Sequence, residues 1–251
     1  MSVFQKYASC YDALYLDKNY QLEVDYIQSL IQKNSVNAKN ILDLGCGTGK
    51  HAALLSEKGY DIQGIDLSNE MIELAKKNFA SEKLSFSCSD MRDFKIDKKV
   101  DVILSLFHVM SYLTADDDLT KTFSSVNKHL KKDGIFIFDC WYGPAVLNDK
   151  PTLRVKRLKK DDFEITRIAE PEMHANDNVV DVNYQIFIKD TQKKLIEDFK
   201  ETHRMRYLFD NEIQKFLLDN GFNLILCEEW LTGKKPTKDS WGVTFICKKC
   251  D

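Results

Sequence analysis

Long apolar runs are missing from the sequence. A membrane-spanning helix needs about 20 consecutive apolar residues, whereas the longest apolar stretches, such as residues 102–107 and 134–138, are far shorter. The first residues also lack the apolar segment that a secretion signal requires. These absences predict a cytoplasmic protein without a membrane partner.

An excess of basic charge is also absent, because 36 Lys and Arg residues stand against 39 Asp and Glu residues and the net charge is −3. This balance gives no general attraction to nucleic acid. Seven cysteines are spread along the chain, an odd number that is typical of reduced thiols. Cys247 and Cys250 form a CxxC pair, but no second pair of ligands accompanies it, so we expect no metal site.

Glycine and proline are scarce, with 10 and 4 residues in a chain of 251. A chain of this length can bury one large core. Over residues 20–138 the apolar pattern predicts helices that alternate with short buried strands. The predicted helices are residues 20–33, 51–58, 68–78 and 116–130, and the predicted strands are 40–44, 61–65, 84–88, 100–107 and 135–138. Ser68 is the predicted N-cap of the third of these helices, and residues 132–134 are a predicted turn.

Residues 152–208 have a different pattern, with four strand-like segments and no helix between them. Polar breaks separate the segments, which is typical of antiparallel hairpins. A helix at 211–220 and strands at 222–230 and 241–248 follow. We therefore predict a single domain over residues 1–251, with an N-terminal lid and helix (1–35), a core (38–151 and 209–251) and an antiparallel β insertion (152–208).

The alternation in the core predicts an α/β fold of the Rossmann-like, doubly wound kind. Strands that alternate with helices form right-handed crossovers, which build a parallel sheet with helices on both faces. The predicted sheet is mostly parallel and seven-stranded, counting the five strands before residue 139 and the two after 221. Ligands of such sheets bind at the carboxyl ends of the strands.

A glycine-rich turn follows the first predicted strand, with Gly45, Gly47 and Gly49 at alternate positions. Such a turn lets the backbone approach a ligand closely and presents amides at the start of a helix. The dinucleotide fingerprint requires GxGxxG, and its third glycine is replaced here by Lys50. A phosphate-binding loop requires Gly-Lys-Ser/Thr, and His51 follows Lys50 instead.

Acidic residues follow the successive strands. Asp66 ends the second predicted strand, 17 residues after Gly49, close to the distance at which an acid reaches ribose hydroxyls. Asp90 ends the third strand, where its carboxylate can accept a hydrogen bond from the amine of an adenine. Met91 can pack on the adenine ring. Asp43 adds negative charge where phosphates would be repelled. These carboxylates indicate a nucleoside ligand that carries positive charge.

The motifs DLGCGTG, GIDLS, DMRDF and SLFH, in this order over residues 38–150, resemble the class I S-adenosylmethionine-dependent methyltransferases. The resemblance implies S-adenosylmethionine as cofactor, with the glycine loop at its methionine part, Asp66 at the ribose and Asp90 at the adenine. The full set of residues that we expect to bind the cofactor is Tyr11, Asp43, Gly45, Cys46, Gly47, Gly49, Asp66, Leu67, Met71, Asp90, Met91 and Ser105.

The N-terminal YDALY segment and residues 139–144 further resemble the subgroup that methylates small molecules, including amino-sugar N-methyltransferases. This resemblance implies a lid formed by Tyr11 and Tyr15 and an acceptor pocket shaped by the insertion. The expected partner is a small-molecule acceptor, methylated on N or O, and the protein is expected to be a monomer or a homodimer. The basic residues of 154–160 form either a strand with one wet face or an anion site.

Two residues are the catalytic candidates. His108 follows the fourth predicted strand, at the edge where ligands bind, and its pKa range suits a general base, although a hydrogen-bonded histidine of the pocket wall would have the same position. Tyr15 is the second candidate. Tyr112, Trp141 and Tyr142 either pack on the acceptor or belong to the core. The alternatives to methyl transfer are a nicotinamide-dependent oxidoreductase and a non-catalytic S-adenosylmethionine-binding module.

Overall fold

The computed structural model describes residues 8–160, 162–192 and 195–250. Its helices are α1 (Ala8–Leu14), α2 (Tyr20–Asn34), α3 (Lys50–Glu57), α4 (Asn69–Phe79), α5 (Asp116–His129), α6 (Gly143–Asn148) and α7 (Asp210–Asp219). Within this described part of the chain, none of the helices has the length and apolar character needed to cross a bilayer.

The described residues form eleven strands, which belong to one mixed sheet. They are β1 (Asn40–Leu44), β2 (Asp61–Asp66), β3 (Leu84–Cys88), β4 (Val100–Ser105), β5 (Leu130–Tyr142), β6 (Arg154–Lys160), β7 (Phe163–His174), β8 (Val179–Asp190), β9 (Leu195–Leu208), β10 (Phe222–Glu229) and β11 (Gly242–Lys249). Seven of them follow the order β3-β2-β1-β4-β5-β11-β10, in which the first five run parallel and β11 is antiparallel to both of its neighbours. The predicted Rossmann-like α/β fold is confirmed.

The core lies on both faces of this sheet because the side chains of a strand alternate between faces. On β5, Ile135 and Ile137 pack with residues of α2, α3 and α4. Phe136 and Phe138 on the same strand pack with residues of α5 and α7, including Phe123. This double cover explains why the core strands are continuous apolar runs in the sequence.

The strand count differs from the predicted seven because the insertion joins the sheet. Strands β6 to β9 pair in succession as antiparallel hairpins. At Trp141, β5 pairs with Gly242 of β11 on one side and with Tyr207 of β9 on the other. Since β4 occupies that second side only as far as the pair Ser105–Phe138, β9 takes over where β4 ends. The insertion therefore lies beside the carboxyl end of β4.

Two of the wrong boundaries lie at left-handed backbone. The predicted turn at residues 132–134 lies within β5, where Asp133 has a φ of 62° and the register with β4 shifts between Val100 and Val102. The strand predicted to reach residue 107 ends at Ser105. Phe107 and His108 have φ angles of 68° and 63°, and two successive left-handed residues end the extended backbone, whereas the single one at Asp133 is accommodated by the shift of register.

Candidate active site

The glycine turn adopts a backbone that only glycine takes easily. Gly45, Gly47 and Gly49 have φ angles of 69°, 55° and 82°. The amides of Gly45 and Cys46 both donate to the carbonyl of Ile65, at 2.8 and 3.0 Å, and so tie the turn to β2. A Cβ on Gly45 would lie 2.5 Å from a methyl carbon of Val109. The turn thus brings backbone close to the residues that follow β4.

Asp66 lies at the end of β2 and is held by backbone amides. Its Oδ2 accepts the N–H of Gly47 at 2.9 Å, and its Oδ1 accepts the N–H of Ser68 at 2.8 Å. Burial raises the pKa of this carboxyl group, while these amides oppose the shift. Each carboxylate oxygen can accept more than one hydrogen bond, so Asp66 has the chemistry to bind a ribose diol.

Asp90 is engaged by an arginine that the sequence analysis missed. Arg92 donates Nε and Nη2 to the Asp90 carboxylate, with Nη2 at 2.6 Å from Oδ2, and its Nη1 donates to Asp118 at 2.9 Å. The bond from Arg92 is the main reason that the pKa of Asp90 is lowered. An adenine amine would share this carboxylate with Arg92. The two-residue spacing in DMRDF was the only signal of the pair.

These groups surround a cavity of about 380 Å³, within the usual size range of small-molecule sites. It lies at the carboxyl ends of β1, β2 and β4, under α1 and the insertion. Most of the predicted site residues line it: Tyr11, Tyr15, Gly45, Cys46, Gly47, Asp66, Leu67, Met71, Asp90, Met91 and His108.

Three predicted cofactor residues lie behind the cavity wall. Asp43 is 2% exposed and Ser105 is fully buried, since both point into the core from central strands. Within the described part of the chain the Ser105 hydroxyl has no hydrogen-bond partner. Gly49 serves as the N-cap of α3, where a Cβ would come within 2.7 Å of the Phe86 ring. The close packing of the start of α3 against Phe86 of β3 therefore explains the glycine at position 49.

The carboxyl group of Asp43 is a buried titrating group beneath the glycine turn. Burial, with a smaller contribution from the Asp66 charge, raises its pKa to about 7. The folded protein therefore holds a proton that the unfolded chain releases near pH 4. Stability from this group is present in full below the unfolded pKa and is lost as the pH rises through about 7.

We expect the free energy of unfolding to fall between pH 4 and pH 7 by up to about 1.4 kcal/mol per pH unit for this proton. Asp43→Asn should remove that slope and leave the one due to Asp66, whose pKa burial also raises. Denaturant unfolding at several pH values measures it. Asp61→Asn, on the exposed first residue of β2, is the control. An unchanged slope in Asp43→Asn would show that Asp43 is ionised in the folded protein.

His108 stands at the carboxyl end of β4 beside a buried carboxylate. Asp139, on β5, is 1% exposed and accepts the backbone N–H of His108 at 3.1 and 3.2 Å. The ring Nδ1 of His108 lies 2.7 Å from Oδ2 of Asp139, at ion-pair distance although not aligned as a hydrogen bond. The left-handed backbone at Phe107 and His108 is strain of the kind found at functional sites.

The opposite wall of the cavity comes from α1 and the insertion. The Tyr15 ring packs on those of Tyr11 and Phe107, with centroids 4.8 and 5.2 Å apart, and its hydroxyl accepts from Arg167 of β7 at 3.3 Å. The first seven residues of the predicted lid lie outside the described residues. Trp141 packs against Trp241, and neither Trp141 nor Tyr142 lines the cavity. Of the two alternatives for these residues, packing in the core rather than on the acceptor agrees with the structure.

Tyr184 and His203, on two strands of the insertion, complete this wall together with Tyr112. Of the three, the sequence analysis indicated only Tyr112. Tyr112 ends the 3-10 helix Val109–Tyr112, and its hydroxyl lies 2.7 Å from Nδ1 of His203 on β9. Tyr184 of β8 packs edge-on against the same imidazole. These two residues are 91 positions apart in the sequence, and no local pattern connects them. The pairing of β5 with β9 brings them into contact.

A network beneath the cavity fixes the N-terminal segment. Glu23 of α2 is 8% exposed and accepts from Lys18 and from His51 Nε2, the latter at 2.7 Å. Burial raises the pKa of Glu23, but His51 and Lys18 together lower it below its usual value. Lys18 also lies over the Phe107 ring at 3.9 Å. The segment that carries Tyr15 is therefore tied to α3 and to the end of β4.

The charges that line the cavity fit S-adenosylmethionine. The carboxylates of Asp66 and Asp90 are in the cavity wall, which suits a ligand with sulfonium and ammonium groups. The two basic residues Lys50 and Arg92 at the cavity are already paired with Asp12 and Asp90. Among the described residues at the end of the cavity near Asp66 and Asp90, a cofactor with several phosphates would therefore meet no unpaired Lys or Arg.

Comparisons with known proteins agree with this geometry. Residues 41–134 match the methyltransferase domain family. The chain is 28% identical to the putative methyltransferase YqeM of Bacillus subtilis, over 98% of this chain and 97% of the relative. It is also 26% identical to a dTDP-3-amino-3,4,6-trideoxy-alpha-D-glucopyranose N,N-dimethyltransferase of Streptomyces venezuelae, over 91% and 94% of the two chains.

Among solved structures, an S-adenosylmethionine-dependent methyltransferase from Clostridium acetobutylicum superposes with a TM-score of 0.84 and 27% identity, over 99% of both chains. The fold, the cavity and these similarities define a class I S-adenosylmethionine-dependent methyltransferase. The protein is an enzyme of this class, it uses S-adenosylmethionine as methyl donor, and it resembles the members that act on small molecules. The nicotinamide-dependent oxidoreductase is not retained.

Proposed function

We propose that the enzyme methylates the amine nitrogen of a small, sugar-like acceptor. Three relatives at 24–26% identity are named as N,N-dimethyltransferases of dTDP-linked amino sugars, and they match 82–91% of this chain. An O-methyltransferase relative matches only 54% of it. The N-methyltransferases also match the insertion. Because the insertion lines the end of the cavity opposite Asp66 and Asp90, where the acceptor would bind (the acceptor end), these relatives are the better guide to the acceptor.

One observation carries the proposal: the cavity has two chemically different ends. Glycine backbone and the Asp66 and Asp90 carboxylates form the cofactor end. The other end has aromatic side chains, the His108–Asp139 pair and polar residues of the insertion. Such an end can bind an apolar ring face and handle a proton at the same time.

In the proposed mechanism, bound S-adenosylmethionine supplies an electrophilic methyl group. His108 accepts the proton of the acceptor ammonium, and Asp139 stabilises the resulting imidazolium because its charge is buried against the ring. Tyr11 and Tyr15 exclude water above the reacting atoms. Arg167 fixes the Tyr15 hydroxyl. Positioning of the nitrogen about 3 Å from the methyl carbon provides most of the remaining acceleration.

The test uses methyl-labelled S-adenosylmethionine and pairs of acceptors that differ in one group. We expect label on a nucleotide-linked amino sugar and not on the matching sugar with a hydroxyl in place of the amine. Calorimetric binding of S-adenosylmethionine, with NAD as control, precedes the assay. Label on the hydroxyl sugar would contradict N-methylation. Binding without transfer to any amine would favour a non-catalytic binding module.

A further inference from the structure

A polar row crosses the inner face of the insertion at the acceptor end of the cavity. Glu201 and His203 are two residues apart on β9 and therefore face the same side of the sheet, and Tyr184 of β8 pairs directly with Glu201. Further along the same face, Ile165 and Ile186 are 5% and 0% exposed. Polar groups placed in such a surface need hydrogen-bond partners.

His203 is the centre of a hydrogen-bond chain. Its side chain is 4% exposed, and its Nδ1 lies 2.7 Å from the Tyr112 hydroxyl. On the other side of the ring, Nε2 lies 3.4 Å from Oε2 of Glu201. The Tyr184 ring packs edge-on with its centroid 4.8 Å away. The imidazole is thus held by contacts from β8, β9 and the 3-10 helix after β4.

When the His203 imidazole is neutral, the hydrogen bonds that join Tyr112, His203 and Glu201 can run in only one direction. An ionised Glu201 only accepts, so Nε2 of His203 carries the ring proton and Nδ1 is an acceptor. The Tyr112 hydroxyl then donates its hydrogen to Nδ1. Every other hydrogen bond of this hydroxyl uses its oxygen as acceptor. At the cavity, Tyr112 therefore binds a group that donates.

We propose that the chain Tyr112–His203–Glu201 holds the acceptor amine through one of its N–H bonds and so ends the reaction at a tertiary amine. The inference rests on the proposed function. A neutral primary amine donates one N–H to the Tyr112 oxygen and keeps its lone pair for the methyl carbon. A neutral secondary amine still has one N–H to donate. A neutral tertiary amine has no N–H to donate to Tyr112, so its lone pair is not directed at the methyl carbon.

Each transfer forms an N–C bond to the methyl carbon and breaks the S–C bond, whose electron pair stays on the sulfur of S-adenosylhomocysteine. The product is an ammonium ion, and His108 accepts its proton before the second transfer. Tyr112 contacts the acceptor in this scheme. His203 and Glu201 are positioning residues that act through Tyr112, because they fix the direction of its hydroxyl.

The experiment compares a primary, a secondary and a tertiary amine on one acceptor scaffold. The unaltered enzyme should methylate the first two and not the third. Tyr112→Phe removes only the oxygen and should lower kcat for both substrates about 10- to 100-fold, because a misplaced nucleophile loses this much. Affinity for S-adenosylmethionine should stay within about twofold, since the cofactor end is unchanged.

Variants of His203 separate positioning from folding. His203→Leu should reduce kcat as Tyr112→Phe does, and His203→Gln should restore part of it, because the amide oxygen can accept the Tyr112 hydrogen. His174→Leu is the matched control. His174 lies on the outer face of the same insertion and also pairs with a carboxylate, Asp181, at 3.0 Å, so its loss should leave kcat unchanged.

Nitrogen NMR of the imidazoles tests the chain without an acceptor. His203 should carry its proton on Nε2, and Tyr112→Phe should shift its Nδ1 signal but not those of His174. An unshifted signal, an unchanged kcat in Tyr112→Phe, or a quaternary product from the unaltered enzyme would each overturn the inference alone. An enzyme that binds S-adenosylmethionine but methylates no amine would overturn the proposed function and this inference together.

Discussion

Replacing His108 with alanine is expected to lower kcat by about 100- to 10,000-fold, the usual contribution of a general base. His108 stands where β4 ends, in the cavity wall, and its ring lies 2.7 Å from a carboxylate oxygen of Asp139. Removal of the imidazole leaves the acceptor ammonium without a local proton acceptor. Binding of S-adenosylhomocysteine should persist, because the residues near Asp66 and Asp90 are unchanged.

Asp139→Asn tests the same pair from its buried side. The amide can still accept the backbone N–H of His108, so the turn should keep its shape, but the charge that favours the imidazolium is lost. We expect a smaller loss of kcat than in His108→Ala. His129→Ala is the control, because His129 ends α5 and its Nδ1 lies 2.8 Å from the Ser125 carbonyl. Unchanged kcat in His108→Ala would eliminate His108 as the base and leave Tyr15, tested by Tyr15→Phe.

Asp66→Ala is expected to weaken S-adenosylhomocysteine binding by about 100-fold or more, because two hydrogen bonds to a charged acceptor contribute roughly 1.5–3 kcal/mol each. The substitution also leaves the amides of Gly47 and Ser68 without their acceptor, which loosens the glycine turn. Asp66→Asn keeps one oxygen acceptor, so it should bind with intermediate affinity. Titration calorimetry measures all three proteins.

The matched control for Asp66 is Asp61→Ala, at the exposed start of the same strand. It removes the same functional group from β2 at the edge away from the cavity, and we expect unaltered affinity. Thermal unfolding of each variant separates loss of binding from loss of folding. If Asp66→Ala bound S-adenosylhomocysteine as tightly as the unaltered enzyme, the ribose would have to lie elsewhere in the cavity.

Most of the fold was predictable because its signals are local. Apolar runs gave the core strands, and Ser68 marked the start of α4, where its side chain accepts from Met71 as predicted. The length of β5 was not predictable, because Lys132, Asp133 and Gly134 read as a turn. The pairing of β5 with both β4 and β11 keeps these residues in the strand despite their composition.

The site divides in the same way. The cofactor end follows from order along the chain, because parallel strands bring the residues after β1, β2 and β3 to one edge of the sheet. The acceptor end depends on contacts over long separations. Asp139 meets His108 across 31 positions, and no periodicity or motif indicates such a pair. The Arg92 contact with Asp118 is of the same kind.

The sequence by itself determined the fold class and the edge of the sheet where the cofactor binds. Alternating strands and helices, three glycines after β1 and acids at the ends of β2 and β3 are local patterns that meet at this edge, and the class of enzyme followed from the resemblance of these motifs to a known family. Only the tertiary structure decided what stands opposite the cofactor. The short β5–β9 junction sets the insertion over the end of β4, and this placement brings His203 to Tyr112. Side chains from separate strands become neighbours only when the strands pair in their final register. The side chains at the acceptor end are therefore brought together by tertiary structure.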